Sequence, residues 1–119
     1  MEKKSEISHD CPVAEAFQII GGKWKPMIIY YLKDGTKRFG ELRRLIPNAS
    51  QKMLTSQLRA LERDGLIHRE IFRQIPPRVD YSLTKLGKTL QPIYKKLDLW
   101  LETREEEVIR ARTAFDQRT

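Results

Sequence analysis

Between Ser50 and Asp64 the sequence SQKMLTSQLRALERD spaces two kinds of side chain so that a helix would separate them. At about 100° per residue, Leu54, Leu58 and Leu61 fall in one narrow arc with Met53 on its border, and Lys52, Thr55, Ser56, Arg59 and Arg63 take the opposite side. That side carries cations and hydroxyls but no acid, because Glu62 and Asp64 lie off its centre. Cations neutralise phosphates, and guanidinium and hydroxyl groups bond to base edges, so the face suits a phosphate-lined groove. A second reactive candidate is Cys11, whose thiolate would be a nucleophile, with His9 close before it.

These residues belong to a chain of 119, long enough for one domain with its own core and too short for two ordinary ones. Hydrophobic content of 39% beside 33% charged residues is a globular composition with a large solvated surface. No apolar run approaches the ~20 residues of a membrane span, and residues 1 to 11 have no hydrophobic stretch of the signal-peptide kind. A cytoplasmic protein without membrane contact is expected. One cysteine cannot form an intramolecular disulfide, and one Cys with two His is too few for the usual four-ligand zinc site, so no metal or other cofactor is expected.

The net charge of +7 is unevenly spread. Residues 1 to 32 hold four Lys/Arg against four Asp/Glu, residues 33 to 85 hold twelve against six, and residues 86 to 119 hold seven against six. The mid-chain surplus would attract a polyanion, nucleic acid first and an anionic membrane second, or else forms a solvated basic surface.

The positioning elements follow in order. Residues 1 to 10 read as a flexible polar arm. Pro12 at a first helical position places Cys11 at the N-cap of a helix through Val13, Ala14, Phe17 and Ile20, ended by Gly21 and Gly22. Trp24 and Pro26 open a second helix, apolar nearly all round and so expected to be central, which Asp34 and Gly35 close. Lys37 to Phe39 form a short extended piece. A third helix spans Glu41 to Ile46, with Leu42, Leu45 and Ile46 on one face and Arg43 and Arg44 pointing away, and Pro47 forces its end. Ser50 then caps the helix described first, and Gly65 suits the position just beyond its end. Two helices joined by so short a turn, the second basic outside, make a helix-turn-helix.

Leu66 to Arg73 and Val79 to Leu83 alternate as strands around Gln74 to Arg78, a hairpin whose tip holds Pro76 and Pro77. Arg73 and Arg78 flank that tip and would lie along the sugar-phosphate backbone or minor groove, as a wing. Thr84 caps a last long helix, about residues 84 to 110. In it Leu86, Leu90, Ile93, Leu97 and Trp100 recur at heptad spacing, and Pro92 predicts a kink between Lys88 and Pro92. The seam needs a partner: the first helix, a second copy, or both together in a dimer formed by the first and last helices, unless Leu97 and Trp100 only roof their own core.

The segments CPVAEAFQIIGGKWKPMIIYYL, RFGELRRLIPNASQKMLTSQLRALERDGLI and PPRVDYSLTKLG resemble, in the same order, the HxlR family of bacterial transcription regulators, over roughly Cys11 to Trp100. The resemblance implies a winged helix-turn-helix related to MarR regulators, acting as a homodimer on inverted-repeat operators in double-stranded DNA, as repressor or activator. Some members sense oxidants, quinones or aldehydes through a cysteine before the first helix, and Cys11 matches that position. Amide donors at a helix start, with Lys3, Lys4 and His9 near in sequence, would favour its thiolate. The alternative is an inert cysteine packed at a dimer interface. The chain departs from the family at Asn48 and Ala49, where a larger apolar residue is common and Ala49 weakens a staple onto Leu54.

The expectation is therefore a mainly α fold with a small β-hairpin wing, residues 11 to 119 forming one winged helix-turn-helix domain whose terminal helices make a dimer interface. The DNA-contacting candidates are Gln51, Lys52, Thr55, Ser56, Arg59 and Arg63 from the recognition helix and Arg73 and Arg78 from the wing, with Cys11 as the sensing candidate. An alternative of another class is a winged-helix module that binds an acidic protein partner. Catalysis is not expected, because Cys11 and His9 flank a helix start and have no third group, Gly-rich phosphate loop or carboxylate pair beside them in the sequence.

Overall fold

Local capping and periodicity explain most of the elements in the computed structural model, which describes residues 6–7 and 9–118. Lys3, Lys4 and much of the expected N-terminal arm lie outside the described residues. The chain divides into two compact units, Met1–Lys88 and Thr89–Thr119.

In the first unit, α1 (Pro12–Ile20) starts where expected, with Cys11 as an extended N-cap whose carbonyl accepts from the Glu15 amide at 3.1 Å. Proline at N1 lacks only an N–H that would have no helical partner. The next helix, α2 (Trp24–Leu32), buries Ile28, Ile29 and Leu32. It is not enclosed all round: Tyr30 is exposed, with the Lys33 ammonium 3.5 Å from its ring centre. After β1 (Lys37–Arg38), α3 (Phe39–Leu45) begins before Glu41 because the Glu41 carboxylate accepts from the Arg38 amide at 3.0 Å, which caps the helix from its third residue. Leu42 and Ile46 are fully buried, but Leu45 has turned to the surface.

The 13-residue α4 (Gln51–Arg63) is bounded at both ends as its sequence requires. Ser50 Oγ accepts from the Met53 amide at 3.0 Å. At the other end Gly65, at φ 76°, lets its own amide reach the Glu62 carbonyl (3.0 Å) and the Leu66 amide reach the Leu61 carbonyl (3.0 Å), a Schellman closure. Leu54, Leu58 and Leu61 are buried with Ile28, Ile29, Leu42 and Ile46, and Ala49 joins them in the turn.

The wing is built on a three-stranded antiparallel sheet of order β1-β3-β2, with β2 at Ile67–Phe72 and β3 at Arg78–Leu83. Lys37 and Arg38 pair with Tyr81 and Asp80, so the short extended piece is an edge strand. Thr84 caps a four-residue helix, α5 (Lys85–Lys88), by accepting from the Gly87 amide at 3.0 Å. Its hydroxyl also lies 2.6 Å from the Gly65 carbonyl, to which it donates.

The long C-terminal helix is interrupted within the expected span Lys88 to Pro92. There α5 ends at Lys88 and the chain begins anew as α6 (Gln91–Gln117), so the interruption is a break with Pro92 in the first turn of α6 and not a bend inside one helix. At that position the missing amide breaks no hydrogen bond within α6, because the first four amides of a helix have no acceptor inside it. Leu86 thus leaves the heptad and sits in α5. Within α6, Ile93, Leu97, Trp100 and Leu101 are exposed and fall on one side at helical spacing, and Phe115 returns to that side near the end. On α1, Val13 and Phe17 are likewise exposed. No helix among the described residues is long and apolar enough to cross a membrane.

Candidate nucleic-acid interface

The division of faces on α4 decides which of its side chains are free to meet a ligand. Gln51, Lys52, Thr55, Ser56, Arg59 and Arg63 are all exposed, and the three leucines behind them are at most 1% exposed. Apolar burial therefore fixes the rotation of α4 and turns its polar side outward. Arg63 lies 3.9 Å from Asp64. Glu62, also flanking the outward side, is held 3.4 Å from Arg69 of β2, so the sheet partly neutralises this acid. Tyr81 of β3 pairs in register with Arg69, and burial pushes its phenol pKa up, with the nearby Arg69 and Arg59 opposing the shift and Glu62 reinforcing it.

The wing presents its two arginines differently. Arg73 is exposed, and among the described residues its guanidinium has no ion pair. Arg78 is half-buried, bonded through Nε and Nη2 to both carboxylate oxygens of Asp80 (3.1 and 3.0 Å), and stacked with its Cζ 4.4 Å from the Phe72 ring centre. It stiffens the tip end of the wing, where Phe72 and Arg78 form the last strand pair, and keeps only part of its charge for a phosphate. At the tip Ile75 is fully exposed.

The structure adds residues that sequence reasoning missed. Arg38 and Gln74 line a cleft of about 270 Å³ with Phe39, Gly40, Pro76, Pro77, Arg78 and Val79, where the β1–α3 junction meets the wing. Arg43, which the periodicity only pointed away from the core, donates to Gln51 Oε1 at 3.1 Å. Neither pairing leaves a signal in local spacing. Cys11 is exposed at the N-cap of α1, away in sequence from all of these groups. Among the described residues no cluster of His, Cys, Asp or Glu could hold a metal ion.

The family profile described as HxlR-like helix-turn-helix matches the chain over residues 19–108, which include α3, α4 and the wing. The chain belongs to the HxlR family. Among its relatives, the HTH-type transcriptional regulator YdeP of Bacillus subtilis is 48% identical over 108 residues, covering 91% of this chain and 84% of that one. Among solved structures, the redox regulator HypR is similar in both of its forms. The reduced form matches at a TM-score of 0.78 and 47% identity, covering 83% of this chain and 98% of HypR. The oxidised form matches at 0.73 and 52%, covering 78% and 96%. HxlR relatives are transcriptional regulators rather than enzymes, and the winged fold expected from the sequence is theirs.

Proposed function

We propose that this HxlR-family chain is a homodimeric, sequence-specific regulator of transcription that binds inverted-repeat operators in double-stranded DNA. The observation that carries the reading is α4, a helix rotated by Leu54, Leu58 and Leu61 so that Lys52, Thr55, Ser56 and Arg59 face outward together. The N-terminal half of α4 enters the major groove, where Gln51, Lys52, Thr55, Ser56 and Arg59 meet bases or phosphates and Arg63 follows along the backbone. Arg73 grips the sugar-phosphate backbone from the wing, with Arg78 beneath it.

The exposed apolar rows of α6 and α1 support the dimer, because identical helices offer a self-complementary face to a second copy. Two such heads read half-sites about one helical turn apart, or a multiple of it. Cys11 is the proposed sensor of oxidants, quinones or aldehydes. It is exposed at the N-cap of α1, and HypR, a redox regulator, is a structural neighbour. Modification there would act by biasing the dimer between two arrangements of its recognition helices.

Titration of the purified protein against duplex DNA from upstream of its own gene and a scrambled duplex, each at two salt concentrations, tests the reading. Specific binding with a log-log salt slope of several units is expected. Weak binding, equal for both duplexes, would count against it. A Cys11→Ser protein that still regulates normally under oxidant or aldehyde stress would remove the sensing part alone.

A further inference from the structure

Gln51 is the first residue of α4, at the end of the helix that our functional proposal sends deepest into the groove. The inference rests on that proposal and concerns which bases Gln51 accepts. Its Oε1 receives a hydrogen bond from Nη1 of Arg43 on α3, at 3.1 Å, between two exposed side chains eight residues apart. A guanidinium has donors and no acceptor, so chemistry alone requires the amide oxygen, and not the nitrogen, to face Arg43. The carboxamide is planar, and its nitrogen therefore points away from that bond.

An unrestrained glutamine reads adenine with both ends of its amide, accepting from N6 and donating to N7. In the arrangement found here one of the two lone pairs of the accepting end is taken by Arg43 of α3 in a charge-assisted bond, and the end left wholly free is a donor. A donor beside a positive charge matches base edges that offer acceptors: N7 and O6 of guanine, or O4 of thymine. Adenine, which presents its N6 donor beside N7, matches less well.

We propose that Arg43 and Gln51 form a composite reading unit, in which Arg43 acts as a positioning residue that directs Gln51 toward guanine or thymine and away from adenine at one position of each half-site. Arg43 thereby contributes to sequence preference from the first helix of the motif, in addition to any phosphate contact its remaining N–H groups make.

The test is selection of binding sites from a randomised duplex library by the full chain and by Arg43→Ala, Arg43→Lys and Gln51→Ala, with thermal melting confirming that each variant is folded. The parent protein should favour guanine or thymine over adenine by about fivefold or more at one half-site position, and Gln51→Ala should erase preference at that position only. Arg43→Ala should shift the same position toward adenine and leave the others as they are. Arg43→Lys, which keeps a donor, should retain the parent's choice. If Arg43→Ala weakens every sequence alike with the preference intact, or if Gln51→Ala leaves all positions unchanged, the composite unit is overturned while sequence-specific binding stands. Absence of any enriched sequence for the parent protein would overturn the DNA-reading proposal itself, and this one with it.

Discussion

Glu62 of α4 and Arg69 of β2 stand 3.4 Å apart, and this ion pair joins α4 to the sheet that carries the wing. Both side chains are more than a third exposed, so solvent screens the pair and its effect on stability is small. Replacing Glu62 with Gln should change unfolding free energy by less than about 1 kcal/mol. Urea titration of the two proteins measures this, and a loss of several kcal/mol would mean that the pair is more than a surface tie.

Arg59 is central to the outward face of α4, and Lys88 belongs to α5, outside the reading head. Arg59→Ala should weaken operator binding by about 1 to 3 kcal/mol, the usual range for a lost specific contact. Lys88→Ala should have a much smaller effect in the same titration. Equal losses would contradict the placement of the interface.

Gly87 packs so closely on the backbone just before β2 that a Cβ there would collide with the Leu66 carbonyl. That carbonyl also accepts from the Thr84 amide at 3.1 Å, so it is not free to move aside. Gly87→Ala should destabilise the fold by about 1 to 3 kcal/mol through overpacking. The denaturant midpoint should fall, with little change in the slope.

Trp100 is 57% exposed on the apolar side of α6. If a second copy covers that side, Trp100→Glu buries a charge at the interface and should shift the protein toward monomer in sedimentation velocity, with loss of tight operator binding. Unchanged sedimentation would remove α6 from the interface.

Two tyrosines make stability fall in alkali. Burial raises the Tyr94 pKa to about 12 and pushes that of Tyr81 up as well. In the unfolded chain a tyrosine titrates near ~10. Below that, folded and unfolded states are both protonated and the contribution is complete. From about pH 10 to about pH 12 the unfolded chain loses these protons first, and stability declines. Urea midpoints taken from pH 8 upward should show the fall, and Tyr94→Phe should make it shallower.

How much of this could be read from the residues alone varies with range. Ser50, the leucines of α4 and Gly65 were legible because caps, periodicity and a left-handed closing residue act within a turn or two. The same local reasoning located the interruption between Lys88 and Pro92, where the helix does break, but took it for a bend inside one helix, whereas Pro92 stands at the second position of a new one, α6. It also placed Leu45 in the core and α3 two residues late, because the Glu41 side chain caps the helix earlier than the hydrophobic spacing indicates.

The sequence by itself determined the fold class, the order of the helix-turn-helix and wing, and the composition of the outward face of α4. Each of these follows from periodicity and from chain-local backbone preferences. Only the tertiary structure decided that β1 pairs with β3, that Phe72 of β2 stacks on Arg78 of β3, and that Arg43 turns the amide of Gln51. Those relationships depend on distances between elements, and such distances are set when Leu54, Leu58 and Leu61 pack with the first unit's other buried residues and fix how the helices and strands of that unit lie against one another.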